Sequence, residues 1–198
     1  MKQHPVQRYD EILSVLQALK FPQRSGGRKL GRGRSCFTLG CTLQCRGSKN
    51  FPEVLASGKA VNRRTVPANV DQELGLRLWE LMQKEAADLG YEMSSVQVNK
   101  NFPGQAHRDR NDTDHQWACS LGDFTGGTLC WTEQSCEESW EFCADTRRAW
   151  TMLDGRHLHW VTPHDGGDRY SLVLFQNTLH PPRPIYYCSE AQALNREE

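Results

Sequence analysis

The chain has 198 residues, with 24 Lys and Arg balanced by 24 Asp and Glu. That length suits one domain around a single core. Zero net charge excludes the broad basic field that would by itself indicate nucleic acid or an anionic membrane, so any such preference must be local. No apolar run of about eighteen residues is present, which excludes a transmembrane helix and predicts no membrane partner. Eight cysteines are too few for a disulfide-dense scaffold of this size, and the opening MKQHPVQRYDE lacks the apolar run of a secretory signal. Reduced thiols and an intracellular location, cytoplasmic or nuclear, are therefore expected.

In Tyr9 to Lys20, the residues Ile12, Leu13, Val15, Leu16 and Leu19 form the stripe of an amphipathic helix, stopped by Pro22. Gln23 to Arg34 is glycine-rich and basic with no acidic residue; it reads as a solvated connector or a phosphate-contacting loop. Ser35 to Arg46 carries β-formers and suggests a strand pair or an edge strand, with Cys36, Cys41 and Cys45 as structural thiols rather than a zinc knuckle. Lys49 to Asn69 has no clear period and reads as irregular surface chain. Val70 to Leu89 is the strongest helix, with Asp71 placed to cap its start and Gly90 its end. It should brace the outer face of a sheet.

After Tyr91 the pattern changes to short extended runs: Ser95 to Asn101, Gln116 to Leu121, Thr128 to Trp131, Ala149 to Leu153, Arg156 to Thr162, Tyr170 to Gln176 and Ile185 to Cys188. Gly122 to Leu129 reads as a tight turn. The Asp-Gly and His-Asp-Gly-Gly-Asp segments are further turn signals. Cys136 and Cys143 bracket an acidic stretch that suits a lid or a surface loop. Many short strands at this spacing indicate a β-sandwich or jelly roll, and helices followed by strands give an α+β class. The expectation is one domain over 1–198, with residues 91–188 as core and 1–90 as helical and irregular support.

His107 and Asp109 share a face if their segment is extended. His159 stands fifty residues beyond Asp109, and Arg169 a further ten, followed by Ser171 on Arg169's own strand face. Two histidines and a carboxylate are a ligand set for non-haem Fe(II) that leaves positions open. A guanidinium beside a hydroxyl suits the distal carboxylate of a dicarboxylic acid. His157, two residues from His159, is a rival third ligand. Asn99 and Asn101 are placed to touch a co-substrate or substrate, or only to satisfy backbone groups; Asn111 is also polar enough to touch substrate. Most tryptophans should be core, though some suit an aromatic substrate clamp.

With His107-x-Asp109, His159 within LHWVTP and Arg169-x-Ser171, the stretch Val96 to Phe175 resembles the Fe(II)/2-oxoglutarate-dependent dioxygenases. Its phrasing around the motifs is most similar to the branch of ten-eleven-translocation and base-J-type oxygenases. The resemblance implies a double-stranded β-helix, with His107, Asp109 and His159 as catalytic Fe(II) ligands. It favours His159 over His157 and assigns Arg169 and Ser171 to 2-oxoglutarate; beside them the strand position of Asn99 makes it the expected further co-substrate contact. It also implies O2 as second co-substrate, release of succinate and CO2, and hydroxylation or demethylation of a small-molecule, amino-acid or nucleobase substrate, with nucleic acid as one version. The competing expectation is a non-catalytic jelly-roll binding module with a vestigial metal site.

Overall fold

The computed structural model describes residues 6–22, 24–25, 28–29, 35–40, 42–43, 61–62, 65–134, 138–179 and 181–188. Two helices, α1 (Val6–Ala18) and α2 (Gln72–Leu89), lie against a five-stranded antiparallel sheet. Its strands are β3 (Ser35–Gly40), β6 (Ser95–Lys100), β7 (Gln116–Gly126), β10 (Thr151–Leu153) and β12 (His164–Phe175), in the order β10-β7-β12-β6-β3. A second sheet of β8 (Leu129–Gln134), β9 (Ser139–Ala144) and β11 (Leu158–Val161), in the order β11-β8-β9, covers the other face. Short pairs β1 (Arg24–Ser25) with β2 (Arg28–Lys29), and β4 (Thr42–Leu43) with β5 (Val61–Asn62), complete the described strands. The class is α+β with a jelly-roll core braced by N-terminal helices.

Strand alternation explains the layering. On β6, Val96 and Val98 are fully buried among helix residues Ile12, Leu16, Leu78, Leu81 and Met82, while the intervening Gln97 and Asn99 line a cavity on the opposite face. On β12, Leu172 and Leu174 face the helices, and Arg169, Ser171 and Val173 the cavity. A second apolar cluster, with Ala118, Leu153 and Val173 from one sheet and Leu129, Trp131, Phe142 and Val161 from the other, joins the two layers. Glu85 pins both helices to the sheet: its carboxylate accepts from Trp150 Nε1 at 2.6 Å and pairs with Arg8 of α1 at 3.0 Å.

Helix α2 begins and ends as its sequence dictates. Asp71 accepts from the Leu74 amide at 3.0 Å, and Gly90 in the left-handed region donates to Ala86 and Ala87 carbonyls. Among the described residues no helix is long and apolar enough to cross a membrane.

Several expectations are corrected. Ser139–Ala144, expected as part of a loop, is strand β9; residues 135–137 lie outside the described set. The His-Asp-Gly-Gly-Asp segment is no turn but the first half of β12, where the register against β7 shifts between Gly166 and Arg169. Most of Gly122 to Leu129 is likewise strand, and the turn narrows to Gly126 and Gly127, at φ 71 and 70, where the chain passes from one sheet to the other. Ile185 to Cys188 pairs with no strand among the described residues; it crosses the surface held by Asp154, His157 and Glu133. The thiols are not all reduced, because β8–β9 pairing sets Cys130 opposite Cys143 and they form a disulfide, Cα atoms 4.2 Å apart. Cys36, Cys119 and Cys188 are free. The basic segment 23–34 and the stretch 49–60 lie mostly or wholly outside the described residues.

The Asp71 cap predicts that Asp71→Ala lowers stability by about 1 kcal/mol. Urea unfolding of the variant beside the parent chain measures that difference.

Candidate metal centre and its cavity

Residues 107–109 follow the irregular segment after β6, yet they are fixed by backbone bonds. His107 and His159 exchange two N–H···O bonds of 3.0 Å each, and the Asp109 amide donates to the Gly155 carbonyl at 2.8 Å. This pairing sets His107 directly opposite His159, ring centroids 4.2 Å apart, and returns Asp109 to the same side by alternation. His107 Nε2 lies 3.7 Å from one Asp109 oxygen and His159 Nε2 3.6 Å from the other. One ligand atom from each residue lies within 4.8 Å of the other two.

Hydrogen bonding fixes the tautomers. His107 Nδ1 meets the Gln105 carbonyl at 2.7 Å and His159 Nδ1 the His157 carbonyl at 3.0 Å. A carbonyl only accepts, so each ring donates from Nδ1, and in the neutral form each leaves its Nε2 lone pair on the Asp109 side. Burial holds the His159 imidazolium disfavoured, which keeps the ring in the neutral form that ligates. His157 is turned elsewhere: its Nε2 bonds the Tyr186 carbonyl at 2.9 Å and its ring meets Tyr187. The structure therefore brings together His107, Asp109 and His159 and leaves His157 out.

All three line a cavity of about 530 Å³, whose wall also carries Arg169, Ser171 and Asn99. Arg169 is 3 % exposed, and its guanidinium lies 5.4 Å from the Phe124 ring centroid. One terminal nitrogen reaches the Gly127 carbonyl at 3.3 Å, while Nε has no hydrogen-bond partner among the described residues. Asp145, the described carboxylate that acts on it, is held by Arg147 at 2.6 Å. Burial lowers the Arg169 pKa to about 10, so it remains charged at neutral pH. A buried cation with an unused donor is costly unless an anion joins it. Gly127 makes room for the group, since a Cβ there would sit 2.8 Å from Nε.

Beside Arg169 runs a polar ladder. Thr38 donates to Gln97 at 2.7 Å, Gln97 to Asn99 at 3.1 Å and Asn99 to Ser171 Oγ at 3.1 Å. Of the asparagines weighed from sequence, Asn99 lines the cavity. Asn101, at φ 51, instead accepts from the Arg169 amide at 2.7 Å and donates to Asp168 at 2.7 Å, holding the β12 irregularity. Asn111 is exposed and outside the cavity wall. No tryptophan lines the cavity; its described aromatic walls are Phe102 and Phe175, so an aromatic clamp of tryptophans is not formed.

Sequence reasoning missed Gln97, Asp112 and Gln116. Gln97 was accessible, being two residues from Asn99 on the same face. Asp112 and Gln116 gave no such signal. Gln116 is 3 % exposed and donates from Nε2 to Asp109 at 2.9 Å and also to Asp112. Burial, aided by the charge of Asp109, pushes the Asp112 carboxyl up to about 8.

No protein-family model matches the sequence, and no curated protein matches it. Among solved structures, the chain is similar to an oxidoreductase of the 2OG-Fe(II) oxygenase family from Burkholderia pseudomallei: 14 % identity, TM-score 0.55, covering 87 % of this chain and 82 % of that one. A bsmA homolog from Methylobium petroleophilum PM1 matches at 16 % identity and TM-score 0.46, over 90 % and 85 % of the two chains. NgTET1, solved in complex with 5mC DNA, matches at 14 % identity and TM-score 0.46, over 98 % and 77 %. The first of these likenesses shows the fold: a jelly roll of the kind found in the 2OG-Fe(II) oxygenases.

The turn before His159 depends on one ion pair. Fully buried Asp154 accepts from Arg156 at 2.5 and 2.8 Å, and Arg156 in turn holds the Arg183 and Pro184 carbonyls. Arg156→Ala leaves that buried carboxylate with its backbone donors, the Arg156 and Tyr186 amides, but without its cation, and should cost about 3 kcal/mol. Chemical denaturation of the metal-free protein gives the measurement.

Proposed function

We propose that the chain is a single-domain Fe(II)/2-oxoglutarate-dependent dioxygenase that hydroxylates or demethylates a small-molecule, amino-acid or nucleobase substrate and releases succinate and CO2. His107 and His159 would hold Fe(II) through Nε2, and Asp109 through a carboxylate oxygen. Arg169 and Ser171, with Asn99 behind the hydroxyl, would hold the far carboxylate of 2-oxoglutarate. The observation that carries this reading is the buried Arg169, its Nε without a partner among the described residues, on the wall of the same cavity that two imidazoles and a carboxylate line together.

The donor set fits the metal in kind: two imidazoles and one carboxylate, their ligand atoms within 4.8 Å of one another on the wall of one cavity. Bound iron would supply the activation of O2 that oxidises the keto acid and the substrate. The chain's own part is placement. Backbone bonds at 107, 109 and 159 hold the donors in register, and the two Nδ1–H···O=C bonds keep both rings in the ligating tautomer. The guanidinium and the Ser171 hydroxyl orient the co-substrate through charge-assisted bonds. The apolar walls, Phe102, Leu129, Leu153 and Val161, exclude water around it.

Anaerobic titration with Fe(II) and 2-oxoglutarate should give a weak visible charge-transfer band at one equivalent per chain, and admission of air should release succinate. His107→Ala, Asp109→Ala and His159→Ala should each abolish both, whereas His157→Ala keeps iron. Loss of iron in His157→Ala with retention in His159→Ala would reverse the ligand assignment. Arg169→Met should keep iron but raise the 2-oxoglutarate KM on the order of 100-fold. A parent chain that binds neither iron nor 2-oxoglutarate points to the binding-module alternative.

A further inference from the structure

The Asp109 carboxylate is 38 % exposed on its side chain, faces the cavity and touches no arginine or lysine among the described residues. Its backbone is fixed through Gly155, whose carbonyl takes the Asp109 amide. One side chain holds it: Gln116, the first residue of β7, paired in register with Leu153 of β10 and therefore anchored by the sheet rather than by a loop.

Both amide hydrogens of Gln116 are committed, one to Asp109 Oδ2 and one to Asp112 Oδ2. This fixes the amide orientation chemically, because the flipped amide would set its oxygen against the Asp109 carboxylate, which can only accept. Asp112 is itself tied to the motif, its amide donating to the Asp109 carbonyl at 3.1 Å. The opposite side of Gln116 is closed by Gly155, where a Cβ would lie 2.4 Å from Gln116 Nε2 and 2.5 Å from its Cδ. Gly155 is the same residue whose carbonyl takes the Asp109 amide, so a single backbone turn sets both the height of the carboxylate and the position of its clamp.

We infer that Gln116 is the positioning residue for the carboxylate ligand: by occupying Oδ2 it sets the carboxylate plane and leaves Oδ1 as the oxygen presented to a metal. This rests on the metal reading proposed above. Asp112 and Gly155 act through Gln116, the first by holding its second hydrogen and the second by leaving it room. The consequence is a ligand whose denticity is set by a neutral amide, which orients the carboxylate without neutralising it as a cationic neighbour would.

The test uses Co(II) as an anaerobic probe of the full chain, with its visible spectrum reporting the ligand field independently of turnover. Gln116→Leu should raise the Co(II) dissociation constant about 10- to 100-fold and shift the cobalt bands. Gly155→Ala, which keeps the amide but displaces it, should move both readouts in the same direction. Should Gln116→Leu fail to fold, Gln116→Asn, which keeps the amide but withdraws it from Asp109 without touching Gly155, decides by the same two readouts. A folded variant with a Co(II) dissociation constant within about twofold of the parent chain and an unchanged spectrum overturns the assignment while leaving the metal centre standing. Failure of the parent chain to bind Co(II) or Fe(II) overturns the metal centre itself and this inference with it.

Discussion

The reciprocal backbone pairing of His107 with His159 is the constraint on which the site depends. Two segments about fifty residues apart in sequence are joined by two hydrogen bonds of 3.0 Å, and everything about the donor set follows from that join. Antiparallel pairing puts the two rings on one side at 4.2 Å, alternation brings Asp109 back to that side, and the adjacent carbonyls of Gln105 and His157 take the Nδ1 protons. Each bond is modest alone. Their value lies in geometry, because ligands carried by a ladder are placed to fractions of an ångström by many other contacts. β11, which carries His159, is itself held by β8, and β8 by β9 and a disulfide.

The five-stranded sheet separates two chemistries by the side-chain period alone. One face of β6 and β12 is packed aliphatic chain against two helices; the other is an amide ladder, a hydroxyl and a buried guanidinium. The helices stabilise the sheet and take no part in the cavity, which leaves the cavity face free to carry groups that weaken folding. Arg169 is the clearest of these, a desolvated cation with an unused donor. Such a group persists where a ligand offsets its cost, and that is the argument for an anion there.

What could be read from the letters was what is local or periodic. The α2 stripe with Asp71 and Gly90 at its ends contains its own start and stop, and the structure follows it. The alternation of Val96 to Asn99 and of Arg169 to Val173 was likewise visible, and with it the faces on which Asn99, Arg169 and Ser171 lie. β9 was legible and misread: Trp140, Phe142 and Ala144 alternate with exposed neighbours, but the acidic residues before and among them suggested a loop. His164 to Asp168 was misread because glycines that signal a turn also serve an irregular strand. The Cys130–Cys143 bond, the clamp by Gln116 and the diversion of His157 to the Tyr186 carbonyl depend on which strands meet, and composition or spacing carries no information about that.

The irregularity in β12 has a consequence for how the chain tolerates change. Gly166 stands opposite Phe124 and Arg169 opposite Gly122, so one strand advances three residues while its neighbour advances two. The surplus residue decouples the rim of β12 from its inner half, with Asn101 fastening the junction through the Arg169 amide. A change in length or side chains on the rim at residues 164–168 is therefore absorbed at this junction, without rotating the half that carries Arg169 and Ser171 out of phase.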